Sequence, residues 1–148
     1  MSDVAPTPTS VRPSGWASLR AATRCLLIAV YFAEGLGLAS LASFFAEASW
    51  PVRTGIAAAC LAPIGLLNFA RPDLRIYLPG PLLTLFGLFI GMVPGVIAEQ
   101  VAEAASAIPI VSKGLFVVVT AAAMAAVIWS AFRQSTTASV SSGTEIPG

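Results

Sequence analysis

Four apolar stretches, each about as long as a bilayer-crossing helix and each fenced by charged or Pro/Gly-rich segments, take up most of this 148-residue chain. They run from about 25 to 45, 54 to 70, 76 to 98 and 114 to 132. A helix needs about 17 to 25 residues to cross a hydrocarbon core of ~30 Å. The second stretch is the shortest, and it gains length if Trp50 and Pro51 open it. Backbone polar groups cannot stay unpaired in lipid, and these runs are too long and too continuously apolar for barrel strands. The sequence therefore predicts an all-α integral membrane protein, a four-transmembrane-helix bundle over residues 21–133. Composition agrees: 57% of residues are hydrophobic and 10% charged, with a mean hydropathy of +0.85, against roughly 25% charged residues in soluble domains.

The basic residues set an orientation. Threading the spans puts Arg12, Arg20, Arg24, Arg71, Arg75 and Arg133 on one side and only Arg53 and Lys113 on the other. Positive charge favours the cytoplasm, so both termini are expected inside, in a cell membrane crossed several times. Glu47, Glu99 and Glu103 collect outside, and Trp50 and Trp129 fall near span ends, where aromatic belts sit. Ala46-Glu47-Ala48 is an A-x-A pattern after an apolar run, as in a secretory signal. The long polar lead and an apolar run exceeding the ~7 to 15 residues of a signal core favour an uncleaved first helix.

Residues 1–20 and 134–148 are rich in Pro, Ser, Thr and Gly and are expected to be disordered cytoplasmic tails. Between Ala98 and Lys113, Glu99, Gln100, Glu103 and Ser106 recur at helical spacing opposite Val101, Ala102, Ala105 and Ile108. A short amphipathic segment over about 99–108 is predicted, either continuing the third span or lying at the outer interface. The turn Arg71-Pro-Asp-Leu-Arg75 reads as tight, which would make the second and third helices antiparallel neighbours. With Asn68 it forms the densest polar group, Asn68, Arg71, Asp73 and Arg75, readable as a solvated turn or as a dock for an anionic head group.

Lipid removes the usual hydrophobic drive between helices, so close association relies on small residues. Gly87, Gly91 and Gly95 form a double GxxxG stripe in the third span, Ala29, Ala33 and Gly37 share that spacing in the first, and the fourth pairs Ala121 with Ala125 and Ala122 with Ala126. Such stripes can close the bundle, seam a homodimer or dock on a larger assembly. Their number favours a homo-oligomer or a membrane-complex partner. Pro63 and Pro94 lie inside spans and free the carbonyls of Ala59 and Ile90, where kinks are expected.

Glu34 is a lone carboxyl deep within a span, with no Lys or Arg at its depth. Ten residues beyond Arg24, it sits about 15 Å into the bilayer, close to the midplane. A lone carboxyl there is expected to be neutral much of the time, with Thr84, Tyr31 or the carbonyl freed by Pro63 as hydrogen-bond partners. Two readings stay open: a carrier of protons, cations or substrate, or a neutral acid that holds neighbouring helices together.

Several chemistries are excluded or disfavoured. The chain has no histidine, which removes imidazole ligation of metals and histidine-based catalysis. Cys25 and Cys60 lie at different depths and cannot pair. No phosphate loop, hydrolase set, nucleic-acid patch or cofactor motif is present, and no metal or cofactor is expected.

In outline, four spans with an acidic residue in the first helix are similar to the small multidrug transporters, whose glutamate exchanges protons for cationic drugs. This chain is longer and carries a 15-residue outer loop at 99–113. DoxX-like proteins and the membrane glutathione transferases share the outline too, and no motif selects among them. The leading expectation is a non-catalytic subunit or scaffold that self-associates or packs in a larger membrane complex. A proton- or cation-coupled small transporter using Glu34 comes next, and a membrane enzyme on a lipid-soluble substrate, with Glu34 as general acid, comes third.

Overall fold

The computed structural model describes residues 19–105 and 107–141, with side chains described through residue 134. Four helices follow one another: α1 (Ala21–Ser43), α2 (Trp50–Ala70), α3 (Pro81–Ala104) and α4 (Pro109–Ser141), with a 3-10 helix (Pro72–Tyr77) between α2 and α3. Each is long and apolar enough to cross a membrane, and no strand occurs among the described residues.

Proline sets three of the four starts. Pro51, Pro81 and Pro109 stand in the first turns of α2, α3 and α4, where the missing N–H is no loss and the fixed φ suits the helix. α2 thus opens at Trp50, and α3 opens at Pro81, five residues beyond the predicted start. α3 also runs on to Ala104, so Glu99, Gln100 and Glu103 belong to the third helix itself. α4 opens at Pro109 and continues to Ser141, past residue 134, where a disordered tail is expected from composition. Residues 134–141 contain neither Pro nor Gly, so nothing in their backbone chemistry stops the helix. Residues 1–18 and 142–148 of the two expected tails lie outside the described residues. Both α2 and α3 remain helical through their internal prolines, Pro63 and Pro94.

α4 is the centre of the bundle. α3 packs along one side of it and α1 along another, while α2 rests on α1 and on the 3-10 helix. Gly35 of α1 meets Ala121, and Tyr31 stacks on Phe132 with ring centroids 6.1 Å apart, so α1 and α4 run antiparallel.

The expectation that α2 and α3 are close neighbours is not met. The connection from Arg71 to Gly80 is no tight turn: its 3-10 helix turns inward and buries Leu74 and Tyr77 against Leu27, Tyr31, Met124, Ala125 and Ile128. Once these two side chains are drawn into the core, the segment is a plug at one end of the bundle. α3 then packs along α4 rather than along α2.

The glycine stripe of α3 faces α4. A Cβ on Gly91 would lie 2.7 Å from the Thr120 carbonyl oxygen and 3.1 Å from the Met124 amide nitrogen, and one on Gly95 would run into Thr120 Oγ1. Across the bundle, a Cβ on Gly35 would lie 2.9 Å from Ala121 Cα. α4 is therefore gripped from two sides at backbone distance, the arrangement small residues make possible in lipid. Buried inside the chain, Gly87, Gly91 and Gly95 are not available as a homodimer seam.

Candidate functional site

Glu34 lies in the middle of α1 and is 1% exposed. Its position in the fold follows from its neighbours. Gly35, next to it, lets α1 approach α4 closely at Ala121, while Glu34 itself reaches α3. Thr84, in the first turn of α3, donates its Oγ1 hydrogen bond to Glu34 Oε1 at 3.3 Å. Glu34 Oε2 is buried and has no hydrogen-bond partner. It therefore does not engage the Ala59 carbonyl that Pro63 frees.

Tyr31 is fully buried one turn away, yet it does not bond Glu34. Its hydroxyl donates instead to the backbone carbonyl of Tyr77, and the Tyr31 and Tyr77 rings flank Phe132 at 6.1 and 6.2 Å between centroids. Tyr31 thus works as the pin that ties the 3-10 plug to α1. Tyr31→Phe deletes one buried hydrogen bond and nothing else, so it should cost about 1 kcal/mol, read as a lower unfolding midpoint in detergent; an unchanged midpoint would show the pin contributes nothing.

The other proposed site residues separate into three groups. Gly87, Gly91 and Gly95 are covered by α4. Gly37 of α1 faces α2, where an added Cβ would run into Cys60, so Gly37 sets the α1–α2 contact. Ala29 and Ala33 are exposed on the outer side of α1. The alanines of α4 split in the same manner: Ala121 and Ala125 are buried, whereas Ala122 and Ala126 point outward.

The polar turn is divided as well. Arg71 grips Asp73 with two bonds, Nε to Oδ1 at 3.0 Å and Nη2 to Oδ2 at 2.9 Å. These bonds and the positive charge beside it hold the Asp73 carboxyl below the usual carboxylate range. Both side chains are more than half exposed, and such surface pairs add little to stability. Asn68 and Arg75 are elsewhere, lining a hollow of about 360 Å³ with Gly65, Leu78, Pro79 and Pro81.

Leu74 and Tyr77 were not among the residues that sequence reasoning singles out. A signal exists, since two apolar residues three apart fall on one side of a 3-10 helix, but Arg71, Asp73 and Arg75 around them mask it. Thr120 was also missed: its hydroxyl is fully buried beside Gly95 and has no hydrogen-bond partner. Cys25 and Cys60 are both free thiols. Among the described residues no three His, Cys, Asp or Glu side chains come together as a metal site would require.

The site as built can tie α1 to α3 through the Thr84–Glu34 hydrogen bond or exchange a single proton at Glu34. Compared with known proteins, the chain matches no family model, no curated protein and no solved structure.

Proposed function

We propose that this chain is a multi-pass protein of the cell membrane, with both termini cytoplasmic, that serves as a non-catalytic subunit and associates laterally through α2. The observation that carries this reading is that α2 buries none of its residues within the chain. Its outer side presents Gly55, Ala58, Ala62 and Gly65 at intervals of three, four and three, all exposed. A Cβ at Gly55 or Gly65 would meet nothing within 4 Å. Small residues on an open helix face let a second helix approach closely, and in lipid that approach is what drives association. The other glycine stripe is already consumed inside the bundle. The six-to-two bias of basic residues supports the orientation.

Native mass in mild detergent tests this reading. The parent chain is expected at a multiple of its 15.2 kDa, or with a stoichiometric companion, and Ala58→Leu with Ala62→Leu should return it to a single copy. A parent that runs alone as one copy overturns the proposal.

One observation favours a second reading, a proton- or cation-coupled small transporter: Glu34 keeps one buried oxygen unclaimed by any protein group. Intramembrane carboxyls of this kind mark proton or ion pathways.

A further inference from the structure

A groove of about 500 Å³ runs between α1 and α4, lined by Cys25, Ala29 and Phe32 on one side and by Ala122, Ala126 and Trp129 on the other. From Cys25 to Phe32 the helix rises about 10 Å. Ala29, Ala122, Ala125 and Ala126 keep the groove open, because their side chains end at Cβ where larger residues would fill it.

Basic residues lie in sequence just beyond one end of this groove, whose own lining is uncharged. Arg24 adjoins Cys25, and Arg133 continues the α4 face four residues beyond Trp129. Since α1 and α4 run antiparallel, the two arginines fall at the same level, with Arg20 just before α1. Arg24 is half-buried, and its Nε is enclosed without any hydrogen-bond partner. The first turn of α1 holds no acidic residue. Asp73, the described acid at this end of the bundle, is already taken by Arg71.

We propose that this groove holds one acyl chain of an anionic phospholipid, with the lipid phosphate seated against Arg24. An acyl chain is the flexible rod that a narrow, alanine-lined groove accommodates, and it gains dispersion contacts that bulk lipid cannot supply across a concave surface. A lipid phosphate is a charge-assisted acceptor for the Arg24 guanidinium, whose geometry suits a phosphate. A helix from a second copy would fill the groove, but the described acid at the arginine level, Asp73, is already paired with Arg71. A free phosphate would answer the charge and leave the groove empty. Only a molecule with both parts matches both features.

The test is native mass spectrometry of the full chain in mild detergent, titrated with equal amounts of phosphatidylglycerol and phosphatidylcholine. The parent is expected to retain one phosphatidylglycerol about fivefold in preference, the factor one basic residue gives near a membrane surface. Arg24→Gln should erase the preference, and Ala126→Leu, which fills the groove from an exposed position, should lower retention of both lipids. Unfolding midpoints check that each variant folds; if Ala126→Leu does not, Ala29→Val on the facing wall replaces it. Equal retention of the two lipids by the parent overturns the proposal. So does displacement of phosphatidylglycerol by millimolar glycerol 3-phosphate, which would show an anion site without a chain site. Retention unchanged by the groove-filling variant overturns it as well, and so does a groove-filling variant that splits a dimer while its lipid stays bound.

Discussion

Gly91→Leu is expected to force α3 away from α4 and to destabilise the bundle by about 3 kcal/mol, the upper end of what overpacking a close contact costs. The reason is the nature of the neighbours. The first atoms a Cβ would meet at 2.7 and 3.1 Å are the Thr120 carbonyl oxygen and the Met124 amide nitrogen, and backbone atoms inside a helix cannot rotate aside. The remaining atoms of leucine would then have to enter a seam with no room at all. Gly87→Ala should be much milder, since its nearest atom at 3.3 Å is Met124 Cγ, part of a flexible side chain. Gly114→Ala has nothing within 4 Å and should be neutral or slightly stabilising, because alanine is the better helix former. Unfolding midpoints in a denaturing-detergent titration would rank the three. A Gly91→Leu protein as stable as Gly114→Ala would show that the α3–α4 seam is looser than its geometry states.

Glu34 separates stability from function. Glu34→Ala should cost about 2 to 4 kcal/mol, since it opens a cavity at a buried position and removes the acceptor for the Thr84 hydroxyl. Glu34→Gln keeps the volume and the Oε1 acceptor and carries no charge, so it should fold within about 1 kcal/mol of the parent. The glutamine variant is therefore the informative one. If the chain is a lateral subunit, Glu34→Gln retains the native mass and any companion of the parent. If Glu34 carries protons, the same variant assembles normally but releases no proton when a cationic substrate binds and moves none across a vesicle wall. A Glu34→Ala protein with an unaltered unfolding midpoint would deny the carboxyl its role between the helices.

The existence and type of the four long helices were legible because lipid-compatible segments must be apolar throughout and must close their own hydrogen bonds. Their ends were less so. α3 begins at Pro81 rather than near Ile76 because Leu74 and Tyr77 gain more from burial against α1 and α4 than from extending a helix into which Pro79 and Pro81 cannot donate. α4 runs on to Ser141 because a Ser/Thr-rich composition weakens a helix without breaking it.

Glu34 and the small-residue spacings could be read directly from the chain, since a carboxyl near the middle of an apolar run and a four-residue glycine repeat are local features. Their partners could not. Thr84 is fifty positions from Glu34, and nothing local tells whether a glycine stripe will meet its own fourth helix, a second copy or lipid. The sequence by itself determined that the chain is helical, apolar in four places and acidic at one buried point, because each of these is a property of a single segment. The tertiary structure alone decided that α4 is the centre, that α2 stays on the outside, and that Tyr31 serves the plug and not Glu34. Those outcomes depend on which surfaces compete for the same neighbour at backbone distance, and that competition involves the whole bundle at once.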